Sequence, residues 1–142
     1  MEADDFPAPA EGMLVTVFPT VADVPRSVAF YRDVLGGRVV RDEGPAIVRL
    51  ANAWVLMNPG GGPTPDKPGI SLAPPSDPAS ATCFLNLRVA DIAAAHRDWA
   101  AKGAAFVTPP IRKRGEIRCY MRDPDGYLIE VGQATGDVAA SA

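Results

Sequence analysis

The sequence predicts an α+β fold: two tandem βαβββ modules whose curved, mixed sheet cups a cavity. Three observations predict it. First, the chain repeats itself. Val21-Ala22-Asp23-Val24 recurs as Val89-Ala90-Asp91-Ile92 at a shift of 68 residues, and the same shift takes Tyr31 to Trp99 and Val39 to Val107. A repeat of this kind marks two copies of one supersecondary unit. Second, in each copy a run with a helical apolar stripe, opened by an Asp and closed by a Gly, lies between strand-like runs. Third, Asp123-Pro124-Asp125-Gly126 is a tight-turn signal flanked by two such runs, which reads as a hairpin. One copy alone has too little core to be stable, so the two must share a surface.

The elements follow in order. Residues 1–12 are acidic and carry two prolines, as a disordered tail does. Met13 to Phe18 reads as the first strand, and Pro19 then removes a ladder donor. Asp23 caps a helix in which Pro25 suits the first turn. Val24, Val28, Tyr31 and Leu35 form its stripe, and Gly36-Gly37 ends it. Three short strands are expected near 38–43, 45–51 and 53–58. Residues 59–80 are rich in Pro and Gly and form a loop, either a linker or a lid; within it, Ile70-Ser71-Leu72 alternates in polarity and could lie over a neighbouring sheet. The second module runs over 81–133. It comprises a strand from Thr82 to Val89, a helix capped by Asp91 with Ile92, Ala95 and Trp99 on one stripe, a strand from Ala104 to Val107, and the hairpin. Residues 13–133 thus form one domain, with 13–58 as its first module, and 134–142 are a small-residue tail.

Composition narrows the function classes. The 142 residues carry a formal net charge of −3, which argues against nucleic acid. The one basic run, Arg112-Lys113-Arg114, reads as a solvated loop. No apolar run approaches the roughly 20 residues of a membrane span, and the acidic N-terminus is no signal peptide. The two cysteines, Cys83 and Cys119, share strand parity with Leu85, Leu87, Ile117 and Met121, and read as buried free thiols. A cytoplasmic location is expected.

Three motifs, in this order and spacing, give the chain a family resemblance. They are Val21-Ala22-Asp23-Val24-Pro25-Arg26-Ser27 running into Phe30-Tyr31 and Leu35-Gly36; Val89-Ala90-Asp91-Ile92 with Lys102-Gly103-Ala104; and Asp123-Pro124-Asp125-Gly126 leading to Ile129-Glu130. The chain resembles the vicinal oxygen chelate superfamily. That group includes glyoxalase I, ring-cleaving dioxygenases, methylmalonyl-CoA epimerase, fosfomycin-modifying enzymes and bleomycin-type binding proteins. The resemblance implies a homodimer, and it transfers fold better than function. Metal-dependent members take His, Gln or Glu ligands from the first and last strands of each module. The matching positions here are Thr16, Phe84, either Leu56 or Met57, and Glu130. Only Glu130 is a family match, and a transition metal wants three or four N, O or S donors. His96, the only histidine, belongs to the second helix. No cofactor is therefore expected; the alternative that the resemblance implies is a divalent metal held by Glu130 in a glyoxalase- or dioxygenase-type lyase, isomerase or oxygenase.

What remains is a candidate ligand-binding lining. Strand parity and the family pattern turn Phe84, Asn86, Arg118 and Tyr120 toward the cavity, together with Glu130. Thr16 and Phe18 join them from the first strand. An aromatic pocket with a few hydrogen-bonding groups suits a small, partly aromatic molecule. Each residue also has a plainer account: Glu130 and Arg118 as a buried ion pair, and the aromatic rings, Trp54 and Trp99 as core or contact residues. Metal-free acid–base chemistry is a further option, with Glu130 as base and Tyr120 or Arg118 stabilising an oxyanion. So is a purely structural or regulatory dimerisation module.

Overall fold

The computed structural model describes residues 6–136. The chain divides into two compact units, Met1–Ser76 and Asp77–Ala142, with the boundary inside the Pro-rich stretch. Of the two tails expected at 1–12 and 134–142, residues 6–12 are irregular and mostly exposed, 1–5 and 137–142 lie outside the described residues, and Ala134 still belongs to the last strand.

In the first unit, α1 (Val24–Ala29) starts where Asp23 Oδ1 accepts the Arg26 backbone N–H at 3.1 Å, and Pro25 lies in its first turn. The helix widens into a π-turn, Phe30–Val34, which ends at Gly36 with φ +79°. Gly37 is required by packing, because a Cβ there would stand 2.5 Å from Val48 Cγ1 and 2.8 Å from the Tyr31 carbonyl. Strands β1 (Arg38–Arg41), β2 (Ala46–Leu50) and β3 (Ala53–Met57) form an antiparallel meander. Its buried residues include Ile47, Val48, Val55 and Met57, with Val28 and Tyr31 buried in the helical segment.

The first expected strand, 13–18, is not a regular strand. It reaches β3 through single parallel bridges, Val17 to Val55 and Thr20 to Asn58, with Val17 N–H donating to the Trp54 carbonyl and Leu56 N–H to the Val17 carbonyl. Pro19 has no N–H to continue the ladder between the two bridges. With Met13 86% and Val15 80% exposed, burial adds nothing to hold an extended run together. Nor does Ile70–Leu72 lie over a sheet. Leu72 exchanges backbone hydrogen bonds with Gly61 at 2.9 Å inside its own loop, and Ile70 and Leu72 stay exposed. A Cβ at Gly60 would run into the Leu72 carbonyl, which explains the glycine at that crossing.

In the second unit, β4 (Leu85–Arg88) pairs in parallel with the last strand, β8 (Leu128–Ala134). Between them in sequence lie α2 (Ile92–Ala101), β5 (Ala105–Phe106), β6 (Ile111–Lys113) and β7 (Glu116–Arg122). The sheet order is β4-β8-β7-β5, and β6 also pairs with β7. Asp91 Oδ1 caps α2 by accepting the Ala94 N–H at 3.0 Å, the same contact that Asp23 makes three residues on in the first unit. One face of the sheet carries Leu85, Cys119, Met121, Ile129 and Val131, the last four fully buried, and it is the apolar face of the unit.

Two expectations fail here. Cys83 is exposed rather than buried, because the paired strand begins only at Leu85 and parity has no meaning ahead of it. Arg112 and Lys113 are not in a loop: they lie on β6, paired to Ile117 and Glu116. Their side chains are still exposed, as suits an edge strand protected by charge.

Candidate functional site

The site grows from the hairpin. Asp123 Oδ1 accepts two backbone N–H groups, from Asp125 and Tyr127, both at 2.9 Å, and Gly126 takes φ +88° to close the turn. That turn fixes the β7–β8 register, which sets Tyr120 opposite Glu130 and Arg118 opposite Gly132. The parallel β4 register adds Asn86 opposite Glu130 and Arg88 opposite Gly132. Paired residues project to the same side of a sheet. The face opposite the apolar one therefore carries two cross-strand rows, Asn86–Glu130–Tyr120 and Arg88–Gly132–Arg118.

In the first row, both carboxylate oxygens of Glu130 are engaged. Asn86 donates Nδ2–H to Oε1 at 3.1 Å, and the Tyr120 hydroxyl donates to Oε2 at 2.9 Å. Glu130 is only 7% exposed, so these partners replace the water that burial removed. The contact holds the Tyr120 phenol proton and pushes its pKa up from the usual value. Phe84 stands edge-on to Tyr120, with ring centroids 5.9 Å apart and an interplanar angle of 79°, and walls one end of the row.

The second row is charged. Glu116, one register step further on, receives Arg88 Nη1 on Oε2 at 2.8 Å and Arg118 Nη1 on Oε1 at 3.0 Å. Arg88 is the stronger of the causes that hold the Glu116 carboxyl below its ordinary range, with Arg118 adding to it. Arg118 accordingly pairs with Glu116, not with Glu130 as a simple ion-pair reading supposes. The cation beside Glu130 is Arg88, at 4.0 Å from Oε1. Strand parity in the sequence already sets Arg88 on a face with Phe84 and Asn86, and Glu116 on a face with Arg118 and Tyr120, although the expected lining omits both.

Phe84, Asn86, Arg118, Tyr120 and Glu130 are thus brought together by the second unit. Thr16 and Phe18 belong to the first, both exposed on the segment around Pro19. His96 faces the Phe106 ring, with centroids 4.3 Å apart, rather than this cluster. Trp54 is half-buried beneath the Arg49 guanidinium, 4.7 Å from its ring, and Trp99 is half-buried on α2.

The repeat also resolves the first-unit register. Val21 N–H donates to the Asn58 carbonyl at 3.0 Å, and Val89 N–H donates to the Gly132 carbonyl at 2.9 Å. The 74-residue offset from Asn58 to Gly132 carries Leu56, not Met57, onto Glu130. The Val17–Val55 bridge and the Leu85–Ile129 pair give the same correspondence.

A model of the Glyoxalase/Bleomycin resistance protein/Dioxygenase superfamily matches residues 14–131. The chain belongs to this superfamily. No curated protein matches it in sequence. Solved structures do match in fold. TioX from Micromonospora sp. ML1 is 24% identical, with a TM-score of 0.67, over 87% of this chain and 99% of that one. TnmS3, an antibiotic-binding protein from Streptomyces sp. CB03234, is 18% identical with a TM-score of 0.65, over 90% and 100%. The fosfomycin resistance protein FosX from Mesorhizobium loti is 17% identical with a TM-score of 0.66, over 92% and 98%. At these identities the likeness is one of fold.

Some superfamily members hold a metal, so the donor chemistry at the corresponding positions matters. Phe84 and Leu56 offer no donor atom and Thr16 only a neutral hydroxyl. Glu130 already accepts a hydrogen bond on each oxygen and has a guanidinium 4.0 Å away, whose charge opposes a divalent cation. Among the described residues no group of three or more His, Cys, Asp or Glu side chains is placed to hold a metal ion. This residue set does not fit a transition metal, which takes three or four such donors.

Proposed function

We propose that this chain binds a small organic molecule on the polar face of the second-unit sheet, without a metal. The observation that carries the reading is the Asn86–Glu130–Tyr120 row. A carboxylate with both oxygens pre-bonded by protein donors is a fixed polar anchor rather than an open ligand for a cation. It sits beside an aromatic pair, Phe84 and Tyr120, which gives a ligand ring something to pack against. A few convergent polar groups beside apolar surface are the usual make-up of a small-molecule site. An antibiotic-binding protein is among the structural neighbours, and a small molecule carrying an aromatic ring is the class of cargo that the Phe84–Tyr120 pair suits. A homodimer, expected from the superfamily, belongs to the same reading and is checked by light scattering.

The test is a thermal-shift and calorimetric screen of aromatic antibiotics against protein whose metal content has been measured. A ligand present at 100 times its Kd adds about 2.7 kcal/mol of stability. A stoichiometric transition metal whose removal abolishes ligand binding would overturn the proposal. A second reading, metal-free proton transfer with Glu130 as base, draws on the Tyr120–Glu130 hydrogen bond, which links the carboxylate to a second proton-carrying group. The two separate at Glu130→Gln. That variant abolishes turnover if Glu130 takes a proton from substrate, whereas no turnover exists to lose in a carrier.

A further inference from the structure

The two rows differ in what they leave unused. In the first, each Glu130 oxygen has a protein donor. In the second, Glu116 is likewise engaged on both oxygens, by one Nη1 from each arginine. A guanidinium carries five N–H donors in a planar fork. Among the described residues, the Nε and Nη2 groups of Arg88 and Arg118 have no protein partner, and the two side chains are 48% and 38% exposed. Both carboxylates on this face are therefore occupied, while most guanidinium donors stay available. Lys113, opposite Glu116 on β6, adds a third cation to the same side of the sheet. Arg122, of the same strand parity as Arg118 and Tyr120, makes a fourth against the two carboxylates, in a chain whose formal net charge is −3.

Gly132 makes this arrangement possible. It stands between the two arginines in register. A Cβ at that position would collide with Arg88 Nη1, would lie 2.9 Å from Arg88 Cζ and would come within 3.4 Å of Glu116 Oε2. The Arg88 guanidinium thus lies across the bare backbone of β8, which is how it reaches Glu116 from β4. The glycine here is not serving a turn, since it lies inside a strand.

We infer that Arg88 and Arg118, held by Glu116 across Gly132, form an anion-binding clamp, and that the ligand is an aromatic acid: its ring lies against Phe84 and Tyr120 and its carboxylate, sulfonate or comparable group meets the two guanidiniums. This inference rests on the proposed small-molecule binding and names its ligand class. Arginine forks match planar oxyanions in bidentate geometry, and such charge-assisted bonds are about twice as strong as neutral ones. Gly132 is a positioning residue, acting through Arg88.

Three probes of nearly equal shape test it by calorimetry: naphthoate, the neutral naphthalenemethanol and the cationic naphthylmethylamine. Naphthoate is expected to bind tightest, by about tenfold or more over the alcohol, with an affinity that falls as salt rises. Arg118→Ala and Gly132→Ala should each lower the acid's affinity until acid and alcohol bind alike. Arg112→Ala, on the opposite register face of β6, should leave it intact. Circular dichroism and melting curves confirm that each variant is folded, and Arg88→Gln supplies a second clamp variant should Gly132→Ala fail to fold. Equal binding of acid and alcohol, or tightest binding of the amine, overturns the clamp and leaves small-molecule binding standing. Binding of none of the three removes both for this ligand class.

Discussion

Replacing Glu130 by leucine gives the second unit the residue that the first unit carries at the same register, Leu56. Two charge-assisted hydrogen bonds disappear, from Asn86 and Tyr120, each of a kind worth about 1.5–3 kcal/mol. Against that stands the desolvation of a carboxylate that is only 7% exposed, an effective penalty of several kcal/mol. The released donors are not stranded: Asn86 is exposed and Tyr120 half-buried, so water reaches both. Arg88 keeps its closer partner, Glu116, at 2.8 Å. Losses and gains nearly cancel, and stability should change by no more than about 1 kcal/mol, a melting shift within about 4 °C. Binding of a neutral aromatic ligand, in contrast, should weaken by about tenfold, because Asn86 and Tyr120 lose the acceptor that holds them in place beside it. Urea denaturation and calorimetry on the same preparation measure both quantities. A loss of about 3 kcal/mol or more with binding unchanged would refute the reasoning, for Glu130 would then be a structural member of the sheet.

Three other perturbations have definite expected outcomes. Glu116 has a folded-state pKa depressed by Arg88 and Arg118, so its stabilisation is fully present above its ordinary value of 4.5 and is lost as pH falls through the lower, folded-state value. Glu116→Gln should therefore be less stable than the parent at neutral pH, with the gap closing in melts taken below pH 4.5. Asp123→Ala removes the acceptor of two 2.9 Å backbone bonds at a residue that is 5% exposed, and chemical denaturation should register a loss of about 3 kcal/mol. Ala51, with φ +51° in the two-residue β2–β3 turn, is the one non-glycine residue at positive φ among those described, and Ala51→Gly should stabilise the protein by about 0.5–1 kcal/mol once the added chain entropy is deducted.

The sequence was most legible where local chemistry and the repeat agreed. Asp23 and Asp91 announce two helices because a carboxylate ahead of an apolar stripe caps the free N–H groups, and both make the expected bond. The Asp-Pro-Asp-Gly turn announces its hairpin for a similarly local reason. Met13 to Phe18 misled because β-branched and apolar residues favour extension without supplying a partner. Whether a strand forms depends on who pairs with it, and here only isolated bridges do. Within the site, parity placed Asn86, Tyr120 and Glu130 on one face, but which arginine reaches which glutamate was out of reach. That choice depends on Gly132, whose missing side chain opens a path for Arg88 across β8. No alternation rule reads the consequence of an absent Cβ on the neighbouring strand.

The two units also show how one backbone plan yields chemistry on one side only. The same parallel contact joins Val17 to Val55 and Leu85 to Ile129, so Phe18 corresponds to Asn86 and Leu56 to Glu130. In the first unit those positions hold an aromatic and an aliphatic residue; in the second they hold an amide and a carboxylate bonded to each other. A lone carboxylate at position 56 would be buried opposite Phe18 without a donor, at a cost of several kcal/mol. A lone Asn at position 18 would find no acceptor in Leu56. The polar pair is therefore stable only when both members are present, together with Tyr120 to take the second oxygen. A polar site of this type cannot be assembled one substitution at a time without passing through an unsatisfied intermediate, unless the first change falls at an exposed position. Asn86 and Phe18 are both exposed, so the amide is the member that costs least to introduce first, and the buried carboxylate follows it.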